Sequence, residues 1–404
     1  MVSIVVGAGL ARRPLNGGGS SARLQWILGL RRLGFEVYLI DQLGPEGFVD
    51  DAGAVTSFEG SLNLAHFRRI VETAGLVGSA ALVYGEGDAI EGATQAELFA
   101  RAEAADLLLN IGGKLGWEPL LRRFRRKAYV DIDPGSTQFS RASQAGDSPL
   151  TGYDSYFTVG QNIGKPDCLI PAEGIPWRPI HPPVALDHWP VSTAGEPNLL
   201  TTVATWRGRT PGSRKSAGRA FGLKADEFRN FAELPDRVEQ RFEIALNLNA
   251  PQPLLPDGPY PPPLDPLVQA DVELLRRHGW RLVDPRVAAP DPDGFRSYIQ
   301  LSGGEFSAAQ AIFVETNSGW FSDRSACYLA SGKPVLLQDT GFSRTLPVGD
   351  GLVPFRTMEE AVEGARKIYR DYPSHCAAAR QIAEQCFDSN LVLNRILDEA
   401  GLGD

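Results

Sequence analysis

Residues 318–343, SGWFSDRSACYLASGKPVLLQDTGFS, constrain this chain more than any other stretch. Ser318-Gly319-Trp320-Phe321-Ser322-Asp323 reads as a loop closing onto a helix start, where Ser322 or Asp323 can cap the first free backbone N–H groups. No breaker interrupts Arg324 to Ala330, and Ser331-Gly332 stops the helix. Val335-Leu336-Leu337-Gln338 is a short apolar run suited to a buried parallel strand, and the loop Asp339-Thr340-Gly341-Phe342 follows it. A helix start aims several N–H groups and the positive end of its dipole at one point, which suits a phosphate. Ligands of open α/β sheets sit beyond the carboxyl ends of the strands, where Asp339, Thr340 and Gly341 fall. Loop, helix, strand and loop are together the parts of a nucleotide site.

Within this stretch, Leu329-Ala330-Ser331-Gly332-Lys333-Pro334-Val335 resembles the "MASGxPVV" segment of glycosyltransferases with the GT-B fold. The likeness is specific over roughly 318–360 and looser elsewhere. It implies an α/β protein of two Rossmann-like domains facing across a cleft, with a C-terminal helix crossing back to the first domain. It also implies hexosyl transfer from a nucleotide sugar held by the C-terminal domain to a hydroxyl of a small-molecule or glycan acceptor, with no metal and no further cofactor. Many retaining members carry a pair of glutamates before and inside this helix. The same alignment puts Gly319 and Cys327 at those positions, so inversion against retention stays open.

The length of 404 residues suits two domains of ordinary size. The expected division is 1–190 for an acceptor-binding domain with linker, 191–385 for a donor-binding domain, and 386–404 for the returning helix. The net charge of -9 would repel nucleic acid over the surface as a whole. Cys168, Cys327, Cys376 and Cys386 show neither a paired motif nor metal-ligand spacing, which points to a reducing compartment. The amino terminus lacks a signal-peptide pattern and no apolar run reaches membrane-spanning length. A cytoplasmic protein is the expectation.

The chain opens with a strand at Val2 to Val6, a long loop ending in Gly17-Gly18-Gly19, a helix that Ser20 or Ser21 can cap, and a strand at Val37 to Ile40. Gly7-Ala8-Gly9 invites a dinucleotide reading, but Arg12 stands at the third glycine position and Pro14 interrupts a helix. A glycine loop facing the interdomain cleft is the better reading, and Gly17, Gly18 and Gly19 are its candidate residues. Further strand-then-loop units end in Gly85-Glu86-Gly87-Asp88, Ile111-Gly112-Gly113-Lys114, Asp131-Ile132-Asp133-Pro134 and Gly160-Gln161-Asn162. Their polar ends would form the acceptor side. The basic run 122–127 reads as the solvated end of a helix, or as a patch for peripheral membrane contact. Residues 181–190 read as a proline-stiffened linker, and 250–266 as an exposed loop or lid.

Sugar transfer needs a stabilised leaving diphosphate, a positioned donor and, for inversion, a general base. The donor candidates are Ser318, Gly319, Trp320, Phe321, Ser322, Asp323, Arg324, Asp339, Thr340 and Gly341, with Arg207 as the cation after the first strand of the second domain. Lys215 and Arg219 follow as weaker cations, against solvated surface charge as the alternative. Arg324 and Asp323 could instead form a structural pair, and Asp339 could be a turn residue. The base candidates are Asp133 and Asp131, against a plain turn beside Pro134-Gly135. Asp131-Ile132-Asp133 also allows a metal-binding D-x-D of the other large glycosyltransferase fold, which leaves the second α/β half unexplained. An epimerase or phosphorylase of nucleotide sugars, or a non-catalytic scaffold, are the remaining alternatives.

Overall fold

A computed structural model describes residues 2–403 except 45–47, 49, 51–55, 143–149, 207–213, 217–218 and 249–265, and only the backbone of 140–142, 214–216 and 219–220. The first half builds β1 (Ser3–Gly7), α1 (Gly17–Arg32), β2 (Glu36–Leu43), α2 (Leu62–Thr73), β3 (Ala80–Tyr84), β4 (Ala89–Glu91), α3 (Gln95–Ala104), β5 (Leu107–Ile111), α4 (Glu118–Leu121), β6 (Lys127–Asp131), α5 (Ser136–Ala142), β7 (Ser155–Thr158) and β8 (Arg178–Pro179). The strands lie in the order β4-β3-β2-β1-β5-β6-β7-β8, parallel except for the antiparallel β3–β4 pair. Alternate residues of a strand face opposite sides of the sheet. Ile4 and Val6 therefore meet Trp26, Ile27 and Leu30 of α1 on one face, while Val5 meets Leu98, Trp117 and Leu120 on the other. Burial on both faces is why these strands read as unbroken apolar runs.

The second half builds β9 (Leu199–Thr205), β10 (Arg214–Ser216), β11 (Arg219–Phe221), α6 (Lys224–Arg229), β12 (Arg241–Asn247), α7 (Pro266–Arg277), β13 (Arg281–Val283), α8 (Pro285–Ala288), α9 (Pro292–Gln300), β14 (Gly304–Ser307), α10 (Ala311–Glu315), α11 (Asp323–Ala330), β15 (Val335–Gln338), β16 (Leu352–Phe355), α12 (Met358–Arg370), α13 (Tyr372–Cys386) and α14 (Ser389–Glu399). Its parallel sheet runs β13-β12-β9-β14-β15-β16, and β10–β11 is a separate antiparallel ribbon. An aromatic layer of Phe228, Phe231, Phe242, Trp280, Phe306 and Phe355 fills one face. The other face packs Val335, Leu337 and Leu352 against Tyr328, Leu329 and Ala379.

The two sheets are joined by fixed contacts. Val184 of the linker bridges to Asp388, with the Val184 N–H donating to the Phe387 carbonyl at 2.7 Å. Trp189 is buried, so this proline-rich segment is packed as well as stiffened. The returning helix α14 buries Val392, Leu393, Ile396 and Leu397 in the core of the first sheet. Gly29 of α1 makes that approach close: a Cβ there would stand 2.6 Å from Leu393 and Ser389.

Two local readings are corrected. Helix α1 begins at Gly17, with the Asn16 side chain accepting the Gly19 N–H at 2.8 Å, so Ser20 and Ser21 are not its cap. Glycine is disfavoured inside helices but admits a close neighbour. The Gly17 N–H donates to the Ala289 carbonyl at 3.1 Å, and a Cβ at Gly17 would lie 2.2 Å from the Asp291 carbonyl oxygen. Gly17 and Gly18 thus pack α1 against the second half, and Gly19 meets only the Asn16 cap; the three are not an open acceptor loop. The basic run 122–127 is largely engaged: Arg122 pairs with Glu118, Arg123 with Glu103, and Arg126 donates to the Gly401 carbonyl. The segment expected as a lid lies outside the described residues up to 265, and Pro266 opens α7.

Candidate active site

In each sheet the strand order reverses once. β1 lies between β2 and β5, and β9 lies between β12 and β14. Loops leaving such neighbouring strands in opposite directions open a crevice at their carboxyl ends. In the first sheet that crevice lies between the loop after β1, residues 8–16, and the loop after β5, residues 112–117. In the second it lies beyond Thr205 and Ser307. A recess between the halves is lined by Ala22, Arg23, Trp26, Ile111, Ile132, Val159, Pro182, Trp320, Phe321 and Asp323. It therefore joins α1 and three strand ends of the first sheet to the start of α11.

The second-half wall is organised by Arg324. Its Nε donates to Glu305 Oε1 at 2.5 Å, its Nη1 to the Val203 carbonyl at 2.9 Å, and its Nη2 to Ser307 Oγ at 2.8 Å. Burial works against this guanidinium's charge, but Glu305 outweighs it and raises its pKa. Lys224, at the start of α6, brings its Nζ to 3.5 Å from the same Ser307 Oγ. Burial, and next the positive charge of Arg324, push the Lys224 amine down to about 7, while Glu305 pulls the other way. Two cations thus converge on one serine at the crevice, and the long Lys224 contact leaves its ammonium donors available.

Helix α11 starts beside them. Ser322 occupies its N-cap position without a side-chain cap bond, and the exposed Asp323 accepts, among the described residues, only the Arg324 N–H, at 2.8 Å. Of the two expected caps, Asp323 thus takes one N–H of the first turn and Ser322 takes none, which leaves the turn facing the recess without an N-cap bond.

Several residues read as donor contacts are committed within the protein. Ser318 Oγ donates to the Phe313 carbonyl and accepts the Trp320 N–H, both at 3.1 Å. Gly319 has φ of +71°, and a Cβ there would stand 2.9 Å from Asn162. Asn162, in the loop after β7, donates to the Asn317 carbonyl at 3.0 Å and the Gly341 carbonyl at 3.4 Å. Thr340 Oγ1 donates to the Trp320 carbonyl. Ser318, Gly319, Thr340 and Gly341 therefore build the junction between the halves. Asp339 is the turn residue of the two readings: its oxygens accept from Gly341 N–H, Ser343 Oγ and Arg356. Burial tends to raise its pKa, but these donors outweigh burial and lower it. Phe321 is a core residue packed on Phe342 and Phe387, Trp320 stacks on Phe313 at 4.3 Å, and both line the recess. Arg207 lies outside the described residues, and Lys215 and Arg219 fall on β10 and β11.

On the first-half wall, Asp131 is 1% exposed and its carboxylate accepts from Thr137, Gln138, Thr158 and the Asp133 N–H. Burial raises its pKa, against the pull of those donors. It braces the strand end and is not placed to act on a substrate. Asp133, two residues on, is half-buried, next to Ile132 of the recess lining and within electrostatic reach of Lys114. Sequence reasoning missed Lys224 and gave no role to Arg23, whose Nε holds the Ala8 carbonyl at 2.8 Å while its charge faces Asp323 across the recess. The available signal for Lys224 was its place at a helix start right after a short strand, FGLKADEF.

No protein-family model and no curated protein sequence matches the chain. Solved structures do. An alpha-glucosyltransferase in complex with UDP and a 13-mer DNA aligns over 99% of both chains, with a TM-score of 0.59 and 10% identity. Sucrose-phosphate synthase from Thermosynechococcus elongatus aligns over 99% of both chains at 0.52 and 11%. The Anabaena protein HepE in complex with UDP aligns over 99% of both at 0.53 and 11%. These full-length likenesses establish the fold as the two-domain GT-B type, two Rossmann-like halves facing across a cleft.

Proposed function

We propose that this protein transfers a sugar from a nucleoside diphosphate sugar, held by the second half, to an acceptor hydroxyl presented by the first. The observation that carries the reading is the convergence of Lys224 and Arg324 on Ser307 beside the start of α11, which Ser322 does not cap. A leaving diphosphate gains charge as the glycosidic bond breaks, and fixed donors aimed at that charge lower the barrier. Lys224 supplies mobile ammonium donors, Arg324 a fixed positive field, and α11 its N–H groups and dipole. Uridine is the base to test first, because two of the fold neighbours are described with UDP bound.

The positions where many retaining relatives of this fold carry glutamates hold Gly319 and the buried Cys327, neither of which offers a carboxylate. Asp133 is the acid on the acceptor side of the cleft and is assigned as the base that takes the acceptor proton. Isothermal titration with UDP tests the donor site: binding by the wild type, lost in Lys224→Ala, is the expected result. UDP binding unchanged by Lys224→Ala would refute the site. Release of UDP from a UDP-sugar only when acceptor is present separates transfer from epimerisation, and Asp133→Asn is expected to lower kcat with UDP affinity unchanged.

A further inference from the structure

The first-half crevice is lined with positive charge that the mechanism above does not use. The loop after β1 carries Arg12 and Arg13, both exposed, and the loop after β5 carries Lys114, half-buried. These residues are far apart in sequence and meet because β1 and β5 are adjacent strands. Their meeting point is Gly9. With φ of +73°, a Cβ there would stand 2.8 Å from Lys114 Cγ and 3.3 Å from Arg12 Cδ. Only a residue without a side chain lets both cationic stems cross this loop. Arg23 stands behind them on α1, tied to the Ala8 and Gly19 carbonyls at 2.8 and 2.7 Å.

The nearby acids offset this cluster only in part: Asp41 acts on Arg12, and Arg13 has no facing acid of its own among the described residues. Asp41 is buried at the end of β2 and accepts the backbone N–H groups of Gly9 and Ala11. Asp323 faces Arg23, and Asp133 faces Lys114. Arg12, Arg13 and Lys114 make no hydrogen bond or ion pair among the described residues. Burial, and after it the like charges of Arg12, Arg23 and Arg13, lower the Lys114 pKa. Three acids act on four cations, so the cluster keeps net positive charge, which an anion relieves.

Resting on the sugar-transfer reading, we infer that the acceptor carries a phosphate group, bound by Arg12, Arg13 and Lys114 in the crevice between β1 and β5. Guanidinium forks and a lysine ammonium match phosphate oxygens. The acceptor is a small phosphorylated molecule: the three cations cluster around Gly9, next to Arg23 of the recess, and the chain as a whole is acidic at -9, which opposes a long polyanion.

The test uses the full chain saturated with UDP, so that added phosphate does not compete for the donor site. Inorganic phosphate and hexose 6-phosphates are titrated against the matching neutral hexoses, with a short DNA duplex as a further arm. Binding of inorganic phosphate and the hexose phosphates, but not of the neutral sugars, is expected. Arg12→Ala and Lys114→Ala should each weaken it by about 10-fold, with Arg12→Lys recovering part. Both side chains lack partners among the described residues, so the variants should melt with the wild type, and UDP affinity should not change. Phosphate binding absent, or indifferent to Arg12→Ala and Lys114→Ala, overturns the inference while UDP binding stands. Duplex binding that depends on these cations, without hexose phosphate binding, overturns it in favour of nucleic acid. Phosphate binding that depends on Arg12 and Lys114 in a protein that never binds UDP would sink the sugar-transfer reading and keep the anion site.

Discussion

Arg324 of α11 donates to Glu305 of β14 at 2.5 Å across an interior in which the Glu305 side chain is fully buried. The pair connects the start of α11 to the strand end where Lys224 and Ser307 meet. The second Glu305 oxygen has no partner among the described residues, so the carboxylate's charge is balanced mainly by Arg324. Glu305→Gln would leave a buried guanidinium without its counter-charge, a loss on the order of 3–5 kcal/mol. Urea midpoints should show it. The double variant Glu305→Gln/Arg324→Met should recover part of the loss, because the remaining charge is gone as well. A single variant within about 1 kcal/mol of wild type would show that the pair does not hold this wall together.

Lys224 predicts how donor binding responds to pH. Its amine, lowered to about 7, is part-neutral in the free protein near neutral pH. An anionic diphosphate stabilises the charged form, so UDP should bind with proton uptake and bind more weakly as pH rises from 6 to 9. Titration in buffers of different ionisation enthalpy reads the proton. The same shift has a cost in stability. Between about 7 and the ordinary lysine value of 10.5 the unfolded chain holds a proton that the folded chain has released, so stability rises with pH through that window and the penalty is complete below it. Lys224→Met should therefore raise Tm at pH 6, while losing UDP binding as Lys224→Ala does. A lowered Tm at pH 6 would show that this lysine carries no folding penalty.

Gly17 predicts the importance of the contact between the halves. In an ordinary helix, glycine to alanine gains about 1 kcal/mol. Here a Cβ would stand 2.2 Å from the Asp291 carbonyl and 2.6 Å from that of Ala289, both backbone atoms that cannot swing aside. Gly17→Ala should be destabilising by about 1–3 kcal/mol and should lower kcat/KM by holding the halves apart. At Gly18 the nearest atom is the Phe295 ring at 3.0 Å, so Gly18→Ala should be milder. Equal melting temperatures for wild type and Gly17→Ala would mean that the contact opens freely in solution.

The stretch 318–343 was legible because its signals are local. The strand at Val335–Gln338 and the helix stop at Gly332, with φ of +70°, follow from apolar run and glycine alone. The α/β layering followed likewise from repeated apolar runs ending in polar loops. Lys224, Arg12 and Lys114 were not legible as a site because charge convergence is set by strand order. Lys114 reaches Gly9 only because β5 is inserted beside β1, and Lys224 reaches Ser307 only because β14 lies beside β9. The helix start at Gly17 was misplaced for the opposite reason. Three glycines argue locally for a loop, and only the carbonyls of residues 289 and 291 explain why a helix needs them.

Asp41 offers a way to disturb the first-half crevice without replacing a cation, although its charge also acts on Arg12 and Arg23. Its carboxylate, buried at the end of β2, accepts the Gly9 N–H and, at 2.6 Å, the Ala11 N–H, so it sets the path of the loop that carries Arg12 and Arg13. Asparagine keeps the size but presents one acceptor oxygen and an NH2 group, which would face a backbone N–H. Asp41→Asn should thus lose one charge-assisted bond and leave one buried donor unmet, at on the order of 1–3 kcal/mol. The loop would relax away from Lys114. Phosphate binding to the UDP-saturated protein should fall by about 10-fold, while UDP affinity, set in the other half, should stay the same. Loss of UDP and phosphate binding together would mean that Asp41 acts through the whole fold, and unchanged phosphate binding would mean that the loop holds its path without the carboxylate.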